Sequence, residues 1–216
     1  MASLNKIADE INKCTKCPLH ENRTNAVPGE GDPQADLLFI GEGPGKKEDE
    51  LGRPFVGPAG KLLEELLGTI DLTRKDVFIA NVVKCRPPSN RDPLPEEVEA
   101  CWPYLQQQVN AIDPKLIILL GRHSLDRFLP NMKISTARGN PMRREVENLG
   151  RYVFYPIYHP AAALHNPNNR QPLMEDFQRI PTVLKEVAKL PEKDAAEAKA
   201  EDDVDKPEEK QARLEL

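Results

Sequence analysis

Residues 37–45 read Leu-Leu-Phe-Ile-Gly-Glu-Gly-Pro-Gly, a continuous apolar run that ends in a glycine-rich turn. Unbroken apolar runs of this length are typical of strands that are covered on both faces. The same pattern recurs at residues 77–80, 116–120 and 153–157. The four runs therefore predict the strands of a buried, mainly parallel sheet.

Segments with helical character separate these runs. They lie at about Ala59 to Ile70, about Pro95 to Ile112, Arg122 to Phe128, and near Pro172 to Ala188. Strands that alternate with helices indicate the α/β class. We expect a three-layer α/β/α sandwich with a central, mainly parallel four-stranded sheet, formed by one domain over residues 1–189.

The net charge of −5 comes from the C-terminal segment, residues 190–216, which holds ten acidic and five basic side chains. This segment has almost no large apolar residues, so we expect an acidic, disordered tail. Residues 1–189 hold 25 charges of each sign, so bulk charge neither supports nor excludes a nucleic-acid partner. No run is long enough to cross a bilayer, and we expect a soluble, cytoplasmic monomer.

In parallel sheets of this kind, the ligand crevice lies beyond the carboxyl ends of the strands. The residues that follow the four predicted strands are Gly41-Glu42-Gly43, Asn81, Gly121-Arg122-His123 and Tyr158-His159-Pro160. We therefore expect glycines, a carboxylate, an amide and an imidazole to converge at one edge. A dinucleotide fingerprint is excluded because Lys46 stands where its third glycine is needed.

The chain has four cysteines, Cys14, Cys17, Cys85 and Cys101. We do not expect disulfides in a cytoplasmic protein, so a metal site is the better interpretation. Four thiolates suit structural zinc and an iron–sulfur cluster equally well, and ordinary buried cysteines are a third alternative. The residues alone leave this choice open.

Three motifs resemble the family 4 uracil-DNA glycosylases: residues 41–49 followed by Gly-Arg-Pro-Phe-Val-Gly at 52–57, Asn-Val-Val-Lys-Cys-Arg-Pro-Pro at 81–88, and the pair His159-Pro160. The resemblance extends from about Cys14 to Phe177. It implies that Cys14, Cys17, Cys85 and Cys101 hold a structural [4Fe–4S] cluster, with zinc as the minor alternative. It also implies a hydrolase of base excision repair that removes uracil from double- and single-stranded DNA. The predicted pocket has no obvious lysine nucleophile, so we expect a monofunctional enzyme.

The resemblance implies roles for several side chains. Phe55 would stack on a flipped uracil, the Asn81 amide would pair with its N3–H and O4, and His159 would stabilise its O2. Glu42 is the first candidate for orienting water; Glu48 either shares this role or crowds C5 of the base. Gly41 and Gly43 would line the base pocket. From local sequence alone, Phe55 could be a core residue, Asn81 a cap and His159 a turn residue.

Contacts with DNA are predicted at the rim. The family usually has a wedging leucine about four residues after the histidine, where this sequence has Ala163, so Leu164 is the substitute. Lys84, Arg86, Arg91 and Arg170 are predicted phosphate contacts, although exposed basic residues are often only solvated. The other histidines, His20, His123 and His165, are predicted to be surface or structural residues.

Other functions are compatible with this sequence. One is a non-catalytic iron–sulfur protein that binds DNA; another is a related glycosylase with an altered substrate range. The final residues, Gln211-Ala212-Arg213-Leu214-Glu215-Leu216, resemble the short peptides by which bacterial repair proteins bind the sliding clamp. A possible sliding-clamp partner is therefore predicted, with a chance match as the alternative.

Overall fold

The computed structural model describes residues 3–189. The predicted acidic tail at 190–216, with its clamp-binding motif, lies outside the described residues, and the domain boundary remains a prediction. No helix in the described part is both long enough and apolar enough to cross a membrane.

The sheet of the described chain has six strands in the order β1-β3-β2-β4-β6-β5. Their bounds are β1 Glu30–Gly31, β2 Leu37–Gly41, β3 Phe78–Asn81, β4 Leu116–Leu120, β5 Met142–Val146 and β6 Gly150–Ile157. The four central strands are parallel, as predicted. The predicted number of strands is wrong, because β1 and β5 add antiparallel edges. A two-residue strand and a half-exposed polar strand carry no apolar run.

The α-helices of residues 3–189 include all four predicted ones, with small shifts of their ends. Their bounds are α1 Leu4–Asn12, α2 Leu19–Asn22, α3 Lys46–Leu51, α4 Pro58–Gly68, α5 Pro95–Ile112, α6 Arg122–Phe128, α7 Ile134–Ala137, α8 Pro160–His165 and α9 Arg170–Val187. Single 3₁₀ turns occur at Pro88–Asn90 and Pro167–Asn169.

Helices cover both faces of the sheet, and each face has its own apolar core. Helices α1, α5 and α6 contribute to one core, which includes Leu38 and Ile40 of β2. Helices α4 and α9 contribute to the other, which includes Leu37 and Phe39 of the same strand. Alternate residues of one strand thus point to opposite cores, which confirms the three-layer sandwich.

The start of α5 fixes the loop that precedes it. Glu97 is 1% exposed, and its carboxylate accepts the backbone N–H of Leu94 at 2.8 Å. Arg91 donates two hydrogen bonds to the same carboxylate, at 2.6 and 2.8 Å. The hydrogen bond from Arg91 lowers the pKa of Glu97 and keeps this buried carboxylate ionised. The loop from Arg91 to Leu94, which carries Asp92, is therefore anchored at the end of the sheet.

Phe177 lies in the core formed with α4 and α9, and removal of its side chain tests how that core is packed. Its ring is fully buried and stacks on Phe39 with centroids 5.7 Å apart. Phe177→Ala should lower the free energy of unfolding by about 3–5 kcal/mol, because it removes buried apolar surface and leaves a cavity. Denaturant unfolding followed by circular dichroism measures this, with Leu51→Ala, at a 60% exposed site, as the control. A loss as small as that of the control would contradict this account of the core.

Candidate active site

A cleft of about 690 Å³ opens at the carboxyl ends of the parallel strands. Its lining includes residues that the sequence predicted from the segments after β2, β3 and β6, namely Glu42, Gly43, Glu48, Phe55, Asn81, His159 and Leu164, but none from Gly121-Arg122-His123 after β4. The convergence follows from the topology, because parallel strands end at the same edge of a sheet. The lining is both apolar and polar, as is usual for a site that binds a small planar group.

Asn81 ends β3 at the floor of the cleft. Its side chain is 1% exposed, and Oδ1 is a buried oxygen without a hydrogen-bond partner. Gly41 stands opposite Asn81 in the pairing of β2 with β3. A Cβ on Gly41 would lie 2.5 Å from Asn81 Oδ1 and 2.6 Å from Phe55 Cζ, so only glycine allows these side chains to approach. A buried acceptor left unpaired in a cleft is ready for a ligand N–H donor.

Phe55 is 5% exposed and has a left-handed backbone, with φ at +52°. One carboxylate and one guanidinium group hold this strained turn. Glu48 Oε1 accepts the N–H groups of Val56 and Gly57 at 2.9 and 2.8 Å. Arg74 donates to the Phe55 carbonyl at 2.7 Å, from 19 residues away in the chain. Glu48 therefore holds the turn that presents Phe55, a contact that the sequence did not predict.

His159 caps the start of α8, where its Nδ1 accepts the N–H of Ala161 at 3.1 Å. Burial lowers the pKa of His159 to about 4, so the imidazole is neutral at pH 7. A neutral ring that accepts at Nδ1 carries its hydrogen on Nε2. The ring lies 5.4 Å from that of Phe55, between centroids. Close approach here needs Gly121, because a Cβ at that position would lie 2.9 Å from His159 Cβ.

Glu42 belongs to a charged cluster that sequence reasoning did not predict. His123 Nε2 lies 3.4 Å from Glu42 Oε2 and 3.2 Å from Asp92 Oδ1. Burial raises the pKa of Glu42, and the nearby His123 opposes that rise. The sequence did offer a signal, because His123 follows β4 at the same edge as the other site residues. The sequence predicted a surface or structural role for His123, and it did not predict the contacts with Glu42 and Asp92.

The structure contradicts the predicted contact between Lys84 and DNA. Its side chain is 1% exposed, and Nζ donates to the Asn81 carbonyl at 2.8 Å and to Gln108 Oε1 at 2.6 Å. Burial lowers the pKa of Lys84 to about 8. A lysine enclosed in this way cannot reach a phosphate. The basic residue in the motif instead supports the strand end that carries Asn81.

The four cysteines line one cavity beside this lysine, together with Tyr104. Three of the sulfurs face N–H donors: Lys16 N at 3.5 Å from Cys14 Sγ, Arg23 Nη1 at 3.0 Å from Cys85 Sγ, and Lys84 N at 3.3 Å from Cys101 Sγ. Donors that point at sulfur stabilise thiolates and are usual around thiolate-bound metal centres.

Comparison with known proteins now identifies the family. The family model of the uracil DNA glycosylase superfamily matches residues 28–180. The chain is 52% identical to a type-4 uracil-DNA glycosylase from Sulfurisphaera tokodaii over 186 residues, which cover 83% of this chain and 84% of the relative. The chain belongs to the type-4 branch of the uracil-DNA glycosylase superfamily. Type-4 relatives from Archaeoglobus fulgidus and Thermotoga maritima are 49% and 45% identical; the matches cover 83% of this chain and 92% and 93% of theirs.

The rim of the type-4 glycosylase cleft separates the two candidates for an apolar wedge. Ala163 is 5% exposed and belongs to the core formed with α4 and α9, whereas Leu164 is 45% exposed and lines the cleft.

The basic residues near the cleft differ in their surroundings. Arg86 is half-buried and donates to Asn90 Oδ1 at 2.7 Å, and Arg170 lies 3.6 Å from Glu65 at the surface. Lys46 and Lys47 at the start of α3 also line the cleft, and sequence reasoning missed both.

The protonation of His159 is directly measurable. Its ring should stay neutral, in the tautomer with hydrogen on Nε2, from pH 7 down to about pH 5, because the lowered pKa lies near 4. Nitrogen NMR of the histidine side chains, with His159→Gln to assign the resonance, reports both the tautomer and the midpoint. A midpoint near the ordinary value of about 6.5 would contradict the assignment.

Proposed function

We propose that this protein is a uracil-DNA glycosylase that hydrolyses the N-glycosidic bond of uracil in DNA and leaves an abasic site for base excision repair. The names of its type-4 relatives support this function. The structural observation that carries it is the buried, unpartnered Oδ1 of Asn81 at the floor of a cleft beside Phe55 and a neutral His159.

Asn81 would distinguish uracil from cytosine. Its Oδ1 accepts from the N3–H of uracil, and its amide N–H donates to O4. Cytosine presents an acceptor at N3 and a donor at C4, so two like groups would face each other at both positions. An unpaired buried polar group costs about 1–3 kcal/mol, and two such mismatches exclude the base effectively.

His159 and Glu42 would act on the bond itself. The C1′–N1 bond breaks with its electron pair going to uracil, and the neutral His159 donates its Nε2 hydrogen as a hydrogen bond to O2, where negative charge develops. Water adds its oxygen to C1′, which has oxocarbenium character, and loses its proton towards the Glu42 carboxylate. Glu48 contributes by holding the turn of Phe55, on which the extruded base stacks.

The surroundings of the cleft suit a DNA strand, in either double- or single-stranded form. A base in a duplex has to be extruded before it reaches the floor, and apolar side chains assist by filling the gap. Leu164 is the exposed leucine at the rim, while Arg86, Arg170, Lys46 and Lys47 are candidates for phosphate contacts. A DNA substrate also supports a cytoplasmic site of action.

The cysteine site fits an iron–sulfur cluster better than one zinc ion. Four thiolates on a zinc ion at about 2.3 Å stand roughly 3.8 Å apart. Within residues 3–189, one group of three potential metal ligands has all its ligand atoms within 4.8 Å of one another, and it consists of Glu42, Asp92 and His123. No three of the four cysteine sulfurs meet this limit, so they lie farther apart than zinc ligands would. We propose that Cys14, Cys17, Cys85 and Cys101 hold a [4Fe–4S] cluster, which stabilises the fold and supplies no step of hydrolysis.

Single-turnover assays on oligonucleotides with one uracil, read by alkali cleavage at the abasic site, test the activity. The wild type should excise uracil opposite guanine, opposite adenine and in single strands, and should leave thymine and cytosine. Asn81→Asp and His159→Ala should each be slower by about 10²- to 10³-fold, the usual cost of one lost donor to a developing oxyanion.

This assay needs a control for folding. Circular dichroism should show that both variants keep the wild-type fold, so that a slow rate reports the site. Rates within a few-fold of wild type would refute the assigned roles, and no abasic product from wild type on any substrate would refute the function. A borohydride-trapped covalent adduct would refute the proposal of a monofunctional hydrolase.

Anaerobically purified protein tests the cluster. It should be brown and contain about four irons per chain, and Cys17→Ser or Cys101→Ser should lower both iron content and folded yield, because binding at such sites is coupled to folding. Iron determination and visible absorbance measure the first outcome. One zinc per chain without iron would overturn the cluster.

A further inference from the structure

His123 connects two carboxylates from separate parts of the chain. It is the second residue of α6, directly beyond the carboxyl end of β4. Its Nε2 lies 3.4 Å from Glu42 Oε2, in the loop after β2, and 3.2 Å from Asp92 Oδ1, in the anchored loop before α5. His123 therefore lies beside Glu42, the carboxylate proposed to accept the proton of the attacking water.

The chemistry of these groups fixes where the hydrogen is. Ionised carboxylates only accept hydrogen bonds, so the imidazole nitrogen that faces them carries the hydrogen. This nitrogen is buried, yet its N–H makes a well-aligned hydrogen bond with neither carboxylate. Hydrogen bonds at catalytic sites are often long or poorly aligned before substrate binds. A small rotation of the ring would commit the N–H to Glu42.

The groups around Glu42 shift its pKa in opposite directions. Burial raises the pKa of Glu42, Asp92 raises it further, and His123 and Arg122 lower it. Arg122, also on α6, contacts the Asp92 carboxylate, and His159 faces the cluster from the loop after β6, where His123 helps to lower its pKa. Glu42 has to be ionised to accept a proton from water, so its state depends on this balance.

We propose that His123 is a positioning residue for uracil hydrolysis, in which its Nε2–H holds the Glu42 carboxylate towards the attacking water while Asp92 holds the imidazole ring. This inference rests on the proposed function of Glu42. The three side chains also form a set that could bind a divalent cation. Positioning is favoured because the Arg122 guanidinium already occupies the Asp92 carboxylate, and a second cation beside it would be repelled.

The experiment is the pH dependence of single-turnover uracil excision by wild type, His123→Ala, His123→Gln and Asp92→Asn. His123→Ala should be slower by roughly 10- to 100-fold, the range expected for one lost hydrogen bond to a charged group. Glutamine keeps an N–H donor, so His123→Gln should recover part of the rate. Asp36→Asn, which removes the same charge from an exposed carboxylate before β2, should match wild type.

The acidic limb of the profile distinguishes positioning from a merely structural effect. Loss of His123 should move this limb to higher pH, because Glu42 then loses a partner that lowers its pKa. Asp92→Asn should move it to lower pH, because a neighbouring negative charge is removed. Asp92→Asn leaves the imidazole in place, so the test stays decisive if His123→Ala fails to fold.

The outcomes separate the two proposals. If wild type and Asp36→Asn excise uracil but His123→Ala and Asp92→Asn match them in rate and acidic limb, the inference is refuted and the proposed function stands. If wild type excises no uracil, the proposed function fails. Loss of wild-type activity in EDTA that added Mg²⁺ restores would also overturn the inference, because Glu42, Asp92 and His123 would then form a metal site, whereas the thiolates of the cysteine site do not favour Mg²⁺.

Discussion

The pairing of β2 with β3 brings Gly41 opposite Asn81, and the rest of the site is arranged around that contact. The missing side chain of Gly41 leaves the space in which the Asn81 amide and the Phe55 ring approach each other. Neither side chain could occupy its position if residue 41 had a Cβ. The segments that follow the two strands also pair, since Val83 N–H donates to the Glu42 carbonyl at 3.1 Å. The placement of both Asn81, proposed to recognise the base, and Glu42 thus depends on one pair of strands.

The interior behind this contact is polar, which is costly unless every group is paired. Lys84 meets that condition by donating from Nζ to the Asn81 carbonyl and to Gln108, whose own amide donates to the Pro28 carbonyl at 2.7 Å. The same residue donates its backbone N–H to Cys101 Sγ. Attraction to Cys101 and Cys85 raises the pKa of Lys84 against the larger effect of burial. One buried lysine therefore links the cysteine centre to the strand end that carries Asn81.

Burial acts differently on the two groups proposed to do chemistry. It lowers the pKa of His159, which keeps the imidazole neutral and its Nε2 hydrogen available as a donor. It raises the pKa of Glu42, which works against the ionised carboxylate that water activation requires. His123 and Arg122 oppose the second effect, so the ionised state of Glu42 depends on its neighbours, whereas the neutral state of His159 follows mainly from burial.

The sequence by itself determined the four parallel strands, the helices between them, the edge at which Glu42, Asn81 and His159 meet, and the set of four cysteines. These features follow from local pattern, because apolar runs and their spacing specify strand and helix directly, and parallel strands share an edge. The resemblance to family 4 added the family, which the comparisons confirmed. The polar strand β5 and the two-residue strand β1 were missed because edge strands bury too little to need an apolar run.

Only the tertiary structure decided which charged residues face solvent and which face each other. Lys84 looks like a DNA contact in the sequence, but it is enclosed by the nearby Asn81 carbonyl and by Gln108 and Cys101 of α5. His123 looks like an ordinary helix residue until Glu42 and Asp92, 81 and 31 positions away, are placed beside it. Leu164 and Ala163 are neighbours in the chain but differ in exposure because α8 turns one face towards the core. Such contacts depend on which segments pack together, and no local pattern records that.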